Sequence, residues 1–332
     1  MLANPPAIST SVTRPSGLAP IWRLLIIAAC ALTAIVIFMT INNRGMWDFI
    51  IPFRGRKILA MMVVGYAIAM STVLFQTITN NRILTPSIMG FDALYMLIQT
   101  IVVFFLGSSR LLMLDPKLRF AVEVIAMVVF ATALYVWLFV VAQRGLYLLV
   151  LVGIIFGVMF RSITTFIQRL INPNDFVVLQ DIGFASFNTV DRTLLYISTA
   201  IVVALSIIAW RMLHVFDVLL LGRETAISLG IDYRRSVTLV LILVTVLVAV
   251  STALVGPITF FGLLVANLAY ILMGTNFHRW VLPAAALLAI CALVGGQLIL
   301  ERVFTFNSSL SVMIEFFGGL MFIGLLLRGH TR

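Results

Sequence analysis

The chain has 332 residues, of which 62% are hydrophobic and only 10% charged. Soluble domains carry roughly a quarter charged residues, so this composition excludes a water-solvated fold and makes lipid the main solvent. The formal net charge of +10 does not indicate nucleic acid, because the basic residues are spread along short connections between apolar runs.

Uncharged runs of about 18 residues or more read as membrane-spanning helices. About ten are expected, near residues 21–41, 56–77, 88–107, 119–142, 146–166, 193–213, 235–255, 259–273, 280–299 and 311–327. The first run contains Ile27-Ala28-Ala29-Cys30 after Arg14 and Arg23, which has the form of a lipoprotein processing box. The run continues past Cys30 to Ile41, a stretch that cleavage would leave stranded in water, so it is read as the first span. Residues 1–20 then form a cytoplasmic tail, and 21–328 one transmembrane domain with no water-soluble domain in any connection. In this topology the basic residues divide evenly between the two sides, so charge does not orient the chain.

The second span opens on a basic cluster, Arg54-Gly55-Arg56-Lys57, and ends in "TNNRILTPSIMGFDALYMLIQ", residues 79–99. Pro86 to Gly90 (PSIMG) opens the third span, and Gly256 to Gly262 (GPITFFG) opens the eighth. Proline and glycine at matching positions of two halves mark transporter repeats with interrupted helices. A plain helix start, with proline in the first turn, is the alternative.

Two polar intervals are long enough to hold structure outside the membrane, 167–191 and 214–234. The first is expected to hold a short helix. In the second, Leu221-Gly222-Arg223-Glu224-Thr225-Ala226-Ile227-Ser228-Leu229-Gly230 is one short helix bracketed by glycines. Gly230 suits a C-terminal cap, and Ala226 and Leu229 share a face expected to meet water or a partner. Such a stub is a docking element or an amphipathic helix lying on headgroups.

No GxxxxGK[ST] phosphate loop occurs, so the chain is not expected to hydrolyse ATP, and no HExxH or Ser-His-Asp pattern suggests an enzyme. Cys30 and Cys291 lie inside apolar runs, and His214, His278 and His330 are scattered, so neither a disulfide nor a metal cluster is expected. Intramembrane acids are few: Glu123, Glu315 and, near a span mouth, Asp92. A gradient-driven pump needs such groups near the bilayer middle; with so few, an energy-coupled pore would draw on a partner. Lipid exposure of Glu315 would cost about 3 kcal/mol. It is expected to pair with Arg302, the alternatives being an interface contact or repulsion of an anionic chelate.

Together these segments resemble the iron-siderophore and vitamin B12 permease family of ABC importers, the FecCD type. The family's R-L-P-R-x-L-A, G, Q and N-P-L-A-x-P-x-x-L-G succession is similar to Arg54 to Ala60, Gly65, Gln76 and Asn81 to Gly90. Its L-G-x-x-x-A-x-x-L-G coupling helix resembles Leu221 to Gly230, and its G-P-I-x-F-x-G-L segment resembles Gly256 to Leu263. The chain departs from the pattern in three places. Arg82 stands where the family has proline after asparagine. Ala266, Asn267 and Tyr270 replace P-H-x-x-R, and Asn307, Ser309 and Ser311 replace E-x-P-x-G. These segments look like the catecholate-siderophore branch, in which two different permease chains pair.

The resemblance implies an all-α, BtuC-like (type II) bundle of ten spans in the bacterial inner membrane, without chemistry of its own. It implies a second permease chain, two ATPase subunits that bind ATP and magnesium, and a periplasmic or lipid-anchored binding protein delivering a ferric siderophore. Arg54, Lys57 and Arg302, with Arg56 an addition, would dock that protein. Leu221, Gly222, Glu224, Ala226, Leu229 and Gly230 would contact an ATPase. Asn81, Pro86, Gly90, Gly256, Pro257 and Gly262 would form a gate of broken helices. A cobalamin or haem permease, an ion-gradient-driven transporter and a structural membrane protein are the rival readings.

Overall fold

The computed structural model describes residues 19–41, 47–137, 146–303 and 309–329. The tail at residues 1–18, the end of the expected fourth span (138–142) and Asn307 lie outside the described residues. Those described form α-helices joined by short turns: α1 (Pro20–Thr40), α2 (Trp47–Thr79), a 3-10 turn (Pro86–Met89), α3 (Phe91–Leu106), α4 (Ser108–Met113), α5 (Pro116–Tyr135), α6 (Leu146–Gln168) and α7 (Pro173–Ile182). There follow α8 (Arg192–Arg211), α9 (Leu213–Leu219), α10 (Arg223–Ser228), α11 (Tyr233–Val255), α12 (Phe261–Met273), α13 (His278–Arg302) and α14 (Leu310–Gly329).

Helix starts follow local chemistry. Asp115 and Asn172 accept hydrogen bonds from the backbone of Lys117 and Asn174 ahead of a proline in the first turn. Asp191 caps α8 through Thr193 and Leu194. These caps satisfy donors that a helix start leaves unpaired. The short helix expected within 167–191 is α7.

Helices α1, α2, α5, α6, α8, α11 and α13 are long and apolar enough to cross a membrane. Of these, α2 and α11 are the most enclosed and form the axis against which α13, α12 and α5 pack. Outward faces carry exposed Trp22, Leu32, Phe105 and Ile125, which suits lipid or a partner helix. All ten expected spans correspond to helices.

Two spans differ from expectation in length. Helices α3 and α12 rise only about 24 and 20 Å at 1.5 Å per residue, short of a hydrocarbon core of about 30 Å. Their missing first turns are residues 86–90 (PSIMG) and 256–260 (GPITF), where the chain is not α-helical. Long-range contacts define two faces. Arg23 of α1 donates to the Leu272 and Met273 carbonyls that end α12, each at 3.1 Å, on the face that carries α10. On the opposite face, Ser108 of α4 donates to Asp175 of α7.

Candidate functional site

The two helix interruptions meet. After α2 the chain turns back through Asn80, which has a φ of 47°, and through Asn81, whose Oδ1 accepts from the Ile83 amide at 2.9 Å. It then re-enters the bundle as the 3-10 turn and reverses at Gly90, with a φ of 91°. A Cβ at Gly90 would lie 2.7 Å from the Gly157 Cα of α6, so conformation and close backbone approach both require glycine there. The second interruption starts at Gly256 and runs through buried Pro257. A Cβ on Gly262 would sit 2.1 Å from Thr72 Oγ1, so α12 rests directly on α2. Irregular backbone at this depth is tolerated only inside protein, and Pro86, Met89, Gly90, Gly256 and Pro257 are all buried. Pro86 and Gly262 line one shared cavity between the interruptions. Asn81 does not join them; it is exposed on the α10 face.

On that face a cluster fixes the 80–85 turn. The Arg82 guanidinium lies 4.4 Å from the Tyr270 ring centroid, and its Nη2 donates to Asn276 Oδ1 at 2.7 Å. The Arg82 carbonyl accepts from Gln76 Nε2 at 2.7 Å and Asn267 Nδ2 at 3.1 Å. Deeper lies a chain that sequence reasoning missed. His278 Nδ1 is 2.6 Å from Asp217 Oδ1, and its Nε2 is 2.6 Å from Thr77 Oγ1. Asp217 also accepts from the His278 backbone amide at 2.9 Å. The order acid, imidazole, hydroxyl is that of a hydrolase triad, but His278 is fully buried and Thr77 points into packed protein. The chain ties α2, α9 and α13 together and offers no nucleophile to a substrate. Its members come from three separate elements, so no spacing in the sequence signals it.

Helix α10 stands just beyond Asp217. Here the structure corrects the sequence reading: Ala226 faces neither water nor a partner but is fully buried. With only six residues in α10, one side must anchor it, and the small Ala226 side chain allows close packing on α9 and α11. The outward side includes Leu221, Glu224, Ile227 and Leu229, with the three apolar residues 58%, 51% and 59% exposed.

The basic cluster also divides. Arg54 Nη1 donates to the carbonyls of Phe38, Met39 and Ile41, at 2.8, 3.1 and 2.9 Å, and thereby caps the end of α1. Lys57 is not exposed: its Nζ lies 3.0 Å from Glu301, which also accepts from Gln297 at 2.9 Å. Burial on an inward turn of α2 removes it from any docking face. Arg56 and Arg302 are exposed. The expected Glu315–Arg302 pair does not form; Glu315 is exposed on α14, and Arg302 reaches the Ile41 carbonyl at 3.5 Å. Glu123 is enclosed, with Arg119 Nε at 2.8 Å and Gln99 as a second donor. No cluster of three or more His, Cys, Asp or Glu side chains occurs among the described residues.

Comparison with known proteins agrees with this architecture. The profile of the FecCD transport family matches residues 18–328. The petrobactin import system permease protein YclO of Bacillus subtilis is 46% identical over 306 residues, covering 92% of this chain and 97% of the relative. The petrobactin import system permease protein FatC of Bacillus anthracis is 38% identical, covering 84% and 79%. A solved structure described as a metal-chelate type ABC transporter in an inward-facing conformation superposes with a TM-score of 0.81. That likeness holds at 20% identity and covers 93% of this chain and 99% of the other.

Proposed function

The chain belongs to the FecCD transport family, and from that premise we propose that it carries a ferric siderophore of the petrobactin, catecholate-like class. It does so as one of two different permease chains in an ABC importer of the bacterial inner membrane. The observation that carries the energy-coupling part of this reading is α10. A short helix with Leu221, Ile227 and Leu229 outward and Ala226 locked inward suits a lever that receives force from an ATPase. ATP and magnesium belong to two such ATPase subunits, and the α10 face is cytoplasmic.

Movement of α10 passes through α9 to Asp217 and His278, and so to the ends of α2 and α13. The two buried interruptions pack on α2 and act as the gate. On the opposite face Arg56 and Arg302 meet carboxylates of a substrate-delivering binding protein, which orients docking and speeds encounter. Helix α6 and the turn that ends it present Arg161, Ser162, Thr165 and Arg169 together on an exposed face. Arginines at bilayer depth avoid lipid, so this face borders the second permease and the path, where positive charge suits an anionic chelate.

Purification of the tagged chain from its native membrane tests the assembly. An ATPase and a second, different permease should accompany it in stoichiometric amounts. A chain that purifies alone yet catalyses uptake would overturn the reading.

A further inference from the structure

Between the two helix interruptions lies a cavity of about 10 Å³, on the order of the space one water requires. Asp92 is its acidic member. This residue is 9% exposed, and its Oδ2 is buried with no hydrogen-bond partner in the protein. The Ser87 and Thr259 hydroxyls, one from each interruption, sit against its side chain. Thr72 of α2, with Ser251 and Thr252 of α11, completes the wall. Thr72, Ser251 and Thr252 all lie within helices long and apolar enough to cross a membrane, and Asp92 opens α3 between them. The cavity therefore lies within the hydrocarbon zone.

A carboxylate oxygen buried there without a partner costs several kcal/mol unless a positive charge or proton meets it. Arg161 and Glu315 both influence Asp92 through their charges, with opposite sign, and both are exposed; neither fills the cavity. The wall supplies hydroxyl oxygens on several sides. Ser251 and Thr252 lie in the last turns of α11, whose carbonyl end carries partial negative charge. One carboxylate balances one unit of positive charge, which disfavours a divalent ion. Oxygen-only lining excludes the softer transition metals.

We propose that this cavity is a binding site for one dehydrated alkali-metal cation, held by Asp92 and the hydroxyls of Ser87, Thr259 and Thr72. The cation pins the two interruptions to each other and to α2, so its occupancy sets how freely the two segments part. It does not power transport, and the proposal goes beyond the transport reading without resting on it.

The full-length chain, purified in detergent with the subunits that accompany it, serves for the test. Choline chloride holds ionic strength constant while sodium or potassium is added, and thermal unfolding is read alongside equilibrium binding of radioactive sodium. Saturable binding and a rising unfolding midpoint are expected with sodium, with potassium or with both. Asp92→Asn should lose at least tenfold in affinity, lose the midpoint response and remain folded in choline alone. Thr259→Val, which keeps the charge, should weaken binding severalfold. No saturable alkali-ion binding, or an Asp92→Asn response equal to wild type, overturns the proposal. A midpoint that responds to pH but to neither cation overturns it too, since a proton would then occupy the site. Siderophore enters neither readout, so this test and that of the transport reading fail separately.

Discussion

Arg82 stacks on Tyr270 across the α10 face, guanidinium to ring centroid 4.4 Å, and both residues stand where the chain departs from its family's pattern. The family pattern places arginine where Tyr270 stands and proline where Arg82 stands. Asn267, which departs from the same motif as Tyr270, bonds the Arg82 carbonyl. Two of the chain's three departures thus meet in one cluster. A double-mutant cycle of Arg82→Ala and Tyr270→Ala should show coupling of about 0.5–1 kcal/mol, as for a partly exposed cation–π pair. Additive effects on unfolding would mean that the two merely lie near each other.

Ala226→Arg should prevent assembly, because the site is fully buried beneath α10 and has no room for a long cation. Leu229→Arg, on the exposed side, should leave the chain folded and assembled while uncoupling ATP hydrolysis from uptake. Size-exclusion profiles and coupled assays separate the two. A monodisperse, well-expressed Ala226→Arg complex would contradict the packing described.

His278→Ala should lower the thermal unfolding midpoint and remove the tie between α9 and α2. Breaking the hydrogen bonds of a buried polar group costs roughly 1–3 kcal/mol for each group left unsatisfied. Asp217→Asn, which keeps the shape, should have a smaller effect of the same sign. Unchanged stability in both variants would mean that the chain of three transmits nothing.

The basic end yields a contrast. Arg56→Glu combined with Arg302→Glu should weaken association with the binding protein, most strongly at low salt where attraction is least screened. Lys57→Glu should instead reduce stability, since it sets a second carboxylate beside Glu301, now 3.0 Å from the lysine nitrogen. Surface plasmon resonance at two salt concentrations, with thermal scans, distinguishes the roles. Equal loss of docking from Lys57→Glu in a fully stable chain would restore it to the docking face.

Arg161→Ala on α6 should lower uptake of an anionic ferric chelate severalfold while assembly stays near wild type. Unchanged turnover would place that face outside the path.

The all-helical fold was legible because apolar length suffices to mark a span, and the interruptions showed through paired proline and glycine. Their convergence on one cavity was not legible, because Ser87 and Thr259 come together only through packing. Ala226 was misjudged for a related reason: a six-residue helix has too little periodicity to tell its anchored side from its free one. Lys57 misled because a charged residue in a motif reads as exposed, whereas its partner Glu301 lies at the far end of the chain. Asp217, His278 and Thr77 left no pattern at all.

On the proposed function, this chain conducts a ferric siderophore using energy from a partner ATPase. Reconstitution of the purified complex in proteoliposomes, with iron-labelled ferric petrobactin and its binding protein outside and ATP inside, tests it most directly. Uptake should require ATP, persist when ionophores collapse every ion gradient, and disappear with Leu229→Arg. Uptake without ATP that ionophores abolish would contradict the account.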